Sequence, residues 1–173
     1  MRFLVPVVVL AGIIGLFYAG LHHDPRLVPS PLVGKLAPPF DLPTVDGAQP
    51  RMTDAGLHGA PVLVNFFASW CEGCQEEHPY LMQLSQSQPV RLVGIDYKDA
   101  DADLHNWLRS HGNPYSTILA DLEGKTGIDW GVYGVPETFV LDGKGTVIYK
   151  QVGPMTPEVW DRVIKPLLGG ASS

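Results

Sequence analysis

Cysteine is scarce in this chain, which has only Cys71 and Cys74 among its 173 residues. A framework of several disulfides is therefore excluded, and so is a zinc site built from four cysteines. The two cysteines lie three positions apart, and a disulfide that closes so small a loop removes little entropy from the unfolded chain. A purely structural role for this disulfide is therefore disfavoured. A haem-attachment motif is excluded as well, because Gln75 and not histidine follows Cys74.

Basic residues are also few. The chain has 12 Lys and Arg against 18 Asp and Glu, which gives a formal net charge of -6. Proteins that bind nucleic acid usually carry a positive surface that neutralises phosphates. The composition therefore predicts that the partner is not a nucleic acid.

The two cysteines form a Cys-x-x-Cys unit between a predicted strand and a predicted helix. Trp70 precedes the unit, and an apolar run over residues 61–67 precedes Trp70. A cysteine at a helix N-terminus becomes a thiolate more readily, because free backbone N–H groups and the helix dipole stabilise the anion. We therefore predict thiol-disulfide exchange, with Cys71 as the nucleophile and Cys74 as the resolving thiol.

Glu72 lies between the cysteines and has two interpretations. A carboxylate beside the nucleophile opposes thiolate formation, and this favours the oxidised pair and makes the protein an electron donor. Alternatively, Glu72 is a solvated residue in the first helical turn, where negative charge is favourable. The sequence leaves both interpretations open.

The N-terminus predicts a membrane anchor. Residues 3–21 carry no charge and Arg2 precedes them, which is typical of a transmembrane helix with a cytoplasmic N-terminus. A cleaved signal peptide is the alternative, although its apolar region would usually be shorter. We expect an anchor over residues 1–22, a Pro-rich linker over 23–34 and one domain over 35–173, which would face the periplasm from a bacterial inner membrane.

The domain alternates strand and helix patterns, which favours an α/β fold. Short lead-in strands are expected over 36–42 and near Arg51, then a buried strand over 61–67 and a helix over 71–86. A strand over 90–97, an amphipathic helix and a strand over 117–120 follow. A hairpin over 137–142 and 145–152 and a helix over 156–168 complete the prediction.

These residues resemble a known family. Trp70 and the Cys-x-x-Cys unit, with Pro79 five residues later, are similar to the thioredoxin fold with an extended N-terminal region. Residues 131–139, Gly-Val-Tyr-Gly-Val-Pro-Glu-Thr-Phe, resemble the signature of the membrane-anchored DsbE/CcmG proteins of cytochrome c maturation. Residues 76–78, 94–99, 112–115 and 165–167 provide further matches.

The resemblance implies roles for four residues. It places a cis peptide between Val135 and Pro136 beside the cysteines, where an ordinary turn proline is the alternative. It also places Glu77 and Glu137 around the thiols, where carboxylates restrain thiolate formation and take part in proton transfer; plain surface charge is the alternative. Asn65 replaces the buried aspartate of ordinary thioredoxins, so proton handling would pass to Glu77 or to water.

The function that the resemblance implies is a reductant for cytochrome c maturation. Its target would be the Cys-x-x-Cys-His disulfide of apocytochrome c or a haem-lyase component, and a DsbD/CcdA-type membrane protein would donate the electrons. No cofactor beyond the redox-active disulfide is expected. Two alternatives stay open, an anchored thioredoxin-like reductase of another pathway and a copper-binding oxidase assembly factor.

Overall fold

The computed structural model describes residues 4–21, 30–45 and 50–170. The first helix, α1, covers Leu4–Leu21. Within these residues, no helix combines the length and the hydropathy that a membrane span requires. The anchor expected over residues 1–22 is thus not shown, and most of the linker expected over 23–34 lies outside the described residues.

A small hairpin precedes the central sheet. Strands β1 (Asp41–Pro43) and β2 (Arg51–Thr53) pair antiparallel, and a 3₁₀ turn, Asp54–Leu57, follows. The strand expected over 36–42 is wrong for most of its length, because Leu36 makes only an isolated bridge to Thr146. The run contains Pro38 and Pro39, and proline has no N–H to donate to a strand ladder.

Five strands form the central sheet in the order β5-β4-β3-β6-β7. They are β3 (Val62–Phe67), β4 (Arg91–Tyr97), β5 (Thr117–Asp121), β6 (Glu137–Leu141) and β7 (Val147–Val152). The first three are parallel to one another, and β6 and β7 run antiparallel to their neighbours. The predicted strands of the sheet and their α/β arrangement are confirmed.

Helices connect and flank these strands. They are α2 (Glu72–Ser87), α3 (Asp101–His111), α4 (Lys125–Asp129), α5 (Pro157–Val159) and α6 (Lys165–Gly170), with a π-helical turn, Trp160–Ile164, between the last two. Thr156 caps α5 by accepting a hydrogen bond from the Val159 amide, as its position before Pro157 predicts. The five-residue α4 was not predicted, because it is shorter than two turns and contains a glycine.

The core has two parts, one on each face of the sheet. Successive residues of β3 point to opposite faces: Phe67 packs with Trp107 and Tyr115, whereas Phe66 packs with Trp130 and Phe139. All six residues of β3 are buried. The strand that leads to the cysteines is therefore fixed on both faces and along both edges.

Candidate active site

The cysteines lie where β3 ends and α2 begins. Cys71 is the N-cap residue of α2, and its Sγ accepts a hydrogen bond of 3.1 Å from the Cys74 amide. The two cysteines form a disulfide with their Cα atoms 5.2 Å apart. Both are buried, Cys71 with 5% and Cys74 with 2% of its surface exposed. The amide at the helix start is placed to stabilise a Cys71 thiolate when the disulfide opens.

Trp70 and Ser69, which precede Cys71, are held by the loop after β4. The Trp70 indole N–H donates to the Lys98 carbonyl at 3.3 Å, and the Ser69 amide donates to Asp99 Oδ2 at 2.6 Å. Trp70 is nevertheless 58% exposed. The indole therefore offers a fixed apolar surface next to the disulfide.

Pro136 lies beside the disulfide ring. The Val135–Pro136 peptide is cis, so this expectation is confirmed. A Cβ added to Gly73 would lie 3.0 Å from Cδ of Pro136 and 3.5 Å from Cγ of Pro154. Glycine between the cysteines thus permits the close approach of the two prolines to the start of α2.

Glu77 belongs to a buried polar network beneath the disulfide helix. Its Oε1 accepts from the Asn65 amide group at 2.9 Å, and its Oε2 accepts from the Met155 backbone N–H at 2.7 Å. Asn65 also donates to Thr138 Oγ1 and accepts from the Tyr115 hydroxyl. Every side chain in the network is buried. The network joins α2 to β3, to β6 and to the segment before α5.

Burial also changes the acidity of Glu77. Removal from water raises the pKa of this carboxyl to about 7, although its hydrogen bonds from Met155 and Asn65 act in the opposite direction. A carboxyl with this pKa exists in both protonation states near neutral pH. Glu77 can therefore accept or release a proton at the pH where the thiols react.

Glu137 lies on the face of the sheet opposite the Glu77 network. Strand alternation directs its side chain to the face opposite Thr138, which bonds Asn65. Its Oε2 lies 2.8 Å from Lys150 Nζ, and its Oε1 accepts from the Tyr133 amide. The structure places Glu77 on α2, three residues after Cys74, but pairs Glu137 with a cation. Its expected role around the thiols stays a prediction, and so does that of Glu72, which is exposed at the start of α2.

Sequence reasoning missed Lys150, Tyr115, Thr138 and the Met155 amide. Tyr115 and Thr138 lie within the motifs that carried the family resemblance, which was the available signal for them. Lys150 has no local signal, because it reaches Glu137 only through the pairing of β6 with β7. For metal ions, the described part of the chain contains no cluster of three or more His, Cys, Asp or Glu side chains suited to bind one.

Known proteins are similar to this chain in sequence and in fold. The Redoxin family model matches residues 32–164. The chain is 41% identical to the thiol:disulfide interchange protein DsbE of Allochromatium vinosum over 167 residues, which are 96% of this chain and 92% of the relative. The chain belongs to the DsbE thiol:disulfide interchange proteins of the Redoxin family.

Other DsbE proteins agree with this assignment. The Escherichia coli K12 protein is 46% identical over 145 residues, covering 83% of this chain and 78% of the relative. A crystal structure described as a DsbE from Chlorobium tepidum has a TM-score of 0.65 and 25% identity, covering 79% of this chain and 95% of that one. The DsbE-family domain described here has the thioredoxin-like fold, and with its Cys71–Cys74 disulfide it is a thiol-disulfide oxidoreductase.

Proposed function

We propose that this protein is a periplasm-facing reductant of cytochrome c maturation that opens disulfides in apocytochrome c or in a haem-lyase component. The observation that carries the proposal is the disulfide at the start of α2, which lies against Pro136 and above the titratable Glu77. The match to residues 131–139 and the relatives named DsbE support the choice of pathway.

The reaction begins from the reduced pair. The Cys71 thiolate attacks one sulfur of the target disulfide, which forms a mixed disulfide and releases the other target sulfur as a thiolate. Cys74 then loses its proton and attacks Cys71 Sγ, so that the second target sulfur leaves. The target gains two electrons and two protons, and Cys71 and Cys74 become the disulfide.

Glu77 is proposed to receive the Cys74 proton. It follows Cys74 by three residues on α2, which places both side chains on one face of the helix. A carboxyl with a pKa of about 7 accepts a proton in this pH range, whereas Asn65 cannot titrate. The proton would pass directly or through a water molecule.

Recognition of the target is proposed to use the surface around Pro136. Trp70, directly before Cys71, and Tyr133, three residues before Pro136, are exposed aromatic rings, and Val135 lies between Tyr133 and Pro136 in the chain. An extended peptide could bond the Val135 backbone while its apolar side chains contact the rings. This arrangement suits a flexible segment such as a Cys-x-x-Cys-His peptide.

The membrane anchor and the electron donor are part of the proposal. The uncharged residues 3–21 after Arg2 would hold the protein in the inner membrane with residues 35–173 in the periplasm. There, a DsbD/CcdA-type membrane protein would reduce Cys71–Cys74 after each turnover. Fractionation of cells that express the full chain tests the anchor, since carbonate washing releases peripheral proteins only.

A deletion experiment tests the pathway. Cells without the gene should lose holocytochrome c, while other periplasmic disulfide proteins keep their redox state. The wild-type gene should restore holocytochrome c, and a control gene that encodes Cys71→Ser/Cys74→Ser should not restore it. If holocytochrome c is normal in the deletion strain and another disulfide protein accumulates in oxidised form, the protein is a reductase of a different pathway.

A further inference from the structure

Two buried carboxyl groups meet at the end of β4. Asp96 lies within the strand and is 1% exposed, and Asp99 lies in the following loop and is 6% exposed. The two carboxyl groups lie within hydrogen-bonding reach of each other. A hydrogen bond between them requires a proton on one of them, because two ionised carboxylates have no donor.

The partners of Asp99 show where this proton lies. Asp99 Oδ2 accepts from the Ser69 amide at 2.6 Å, and Oδ1 accepts from the Ala100 amide at 2.9 Å. Both oxygens of Asp99 thus face backbone N–H donors, so this side chain is placed to accept a further hydrogen bond and not to donate one. Asp96, by contrast, has an oxygen without a hydrogen-bond partner within the described structure. Asp96 is therefore the protonated member and donates to Asp99.

The pair controls the residues just before the nucleophile. Asp99 holds Ser69, and its neighbour Lys98 holds the Trp70 indole through its backbone carbonyl. Two consecutive residues of the β4–α3 loop thus fix two consecutive residues ahead of Cys71. A movement of Asp99 would shift both.

We propose that Asp96 and Asp99 form a proton-bridged clasp that positions Ser69, Trp70 and Cys71 for thiol-disulfide exchange. Asp99 is the positioning residue, and the proton of Asp96 keeps it in place. Loss of that proton puts a second negative charge against Asp99, which repels it from the Ser69 amide and loosens the segment before Cys71. The clasp acts on the exchange reaction itself, whatever the disulfide partner.

The surroundings of Asp96 set the pH at which the clasp opens. Burial is the largest of the causes that together raise the pKa of Asp96 to about 8, and the nearby charges of Asp99 and Asp101 act in the same direction. Tyr115 also faces Asp96, but burial raises the pKa of its hydroxyl well above 10, so it stays neutral. Glu77, whose charge also acts on Tyr115, has a pKa of about 7. The clasp is closed below about pH 8 and open above it.

Trp70 fluorescence in the oxidised full-length protein reports the clasp without interference from thiol ionisation. The wild type should show a transition with a midpoint near pH 8. A Trp70→Phe variant identifies the signal, because Trp107, Trp130 and Trp160 also fluoresce. In Asp96→Asn the side-chain amide still donates to Asp99 but cannot titrate, so the transition should disappear.

The exchange rate of the reduced protein with a small disulfide provides the second readout. At pH 9 about one tenth of Asp96 retains its proton, so the wild type should react up to about tenfold more slowly than Asp96→Asn, with equal rates at pH 6. Asp121→Asn is the matched control. Asp121 is also a buried carboxylate, but it bonds the amides of Thr126 and Gly127 in α4, and its loss should leave the transition unchanged.

Two results would overturn the clasp. One is a fluorescence transition that persists at the same pH in Asp96→Asn. The other needs no variant: an NMR titration of the side-chain carboxyl carbons in which Asp96 of the wild type ionises near pH 4. That second measurement decides the question even if Asp96→Asn does not fold.

Discussion

Glu137 Oε2 lies 2.8 Å from Lys150 Nζ, and the two side chains are only 1% and 4% exposed. Lys150 also donates to the Gly131 carbonyl and lies 4.3 Å from the centre of the Tyr133 ring. Glu137 in turn accepts from the Tyr133 amide. This buried ion pair therefore fixes the loop over residues 131–134, which leads to Pro136, and neutralises the charge of Glu137.

Replacing Lys150 with Met should destabilise the protein by about 3–5 kcal/mol, because the Glu137 carboxylate would stay buried without its cation. The double variant Glu137→Gln/Lys150→Met should recover much of this loss. Urea unfolding of the oxidised proteins measures both values. A loss below about 1 kcal/mol in the single variant would mean that water reaches Glu137 and that the pair contributes little.

Glu77 should make the protein less stable as pH rises. Its pKa is about 7 in the folded protein and 4.5 without the fold, so the folded state binds the proton more tightly. The stabilisation is complete below pH 4.5 and is lost as pH rises through 7, with a slope of up to about 1.4 kcal/mol per pH unit. Asp96 adds an effect of the same sign up to about pH 8.

The Glu77→Gln variant isolates this contribution. It should be less stable at low pH, because one amide oxygen cannot accept from both Asn65 and Met155. Its free energy of unfolding should nevertheless fall less steeply between pH 4.5 and 7. Denaturant unfolding over this pH range, with Glu76→Gln as an exposed control on the same helix, gives the comparison. Equal slopes for all three proteins would show that Glu77 ionises normally.

Cys71 should be the residue that forms mixed disulfides. A Cys74→Ser variant should accumulate adducts with target peptides, because no second thiol remains to release them. Non-reducing electrophoresis with mass mapping of the linked peptides identifies the sulfur. Accumulation in Cys71→Ser instead would reverse the two roles, which the similar burial of both cysteines leaves open to experiment.

Gly73→Ala should slow exchange and lower stability by about 1–3 kcal/mol, the usual effect of an added methyl in a tightly packed place. The new Cβ would meet the Pro136 ring at 3.0 Å, and a ring cannot turn away as a flexible side chain can. Gly169→Ala, where no heavy atom lies within 4 Å, is the control. Stopped-flow rates and thermal unfolding test both variants. If both behave like the wild type, the start of α2 can move away from Pro136.

The sequence predicted the framework of the site well. The run over 61–67 is apolar except for Asn65, and Cys71 with Glu72 is a typical helix start, so β3 and α2 agree with their predicted bounds to within a residue. These features depend on neighbouring residues in the chain. The cis peptide before Pro136 came from the family resemblance and not from local chemistry.

Long-range partners could not be predicted in the same way. The bond of Glu77 to Met155 and the pair of Glu137 with Lys150 each join segments that only the folded sheet brings together. Glu77 and Glu137 have the same functional group and were expected to act alike. They differ because they lie on opposite faces of the sheet. Glu77 is buried with a raised pKa, whereas Glu137 is paired with Lys150.

The bond between Glu77 and the Met155 amide spans 78 positions in the chain. As the chain grows from its N-terminus, both cysteines appear long before the segment that completes the pocket of Glu77. Nascent or C-terminally truncated chains that end before Met155 thus carry reactive thiols without the carboxyl environment of the finished domain. The complete environment of Glu77 is therefore acquired late in biosynthesis, and a chain cut by a protease ahead of Met155 would keep both cysteines but lose the hydrogen bond from the Met155 amide to this carboxyl.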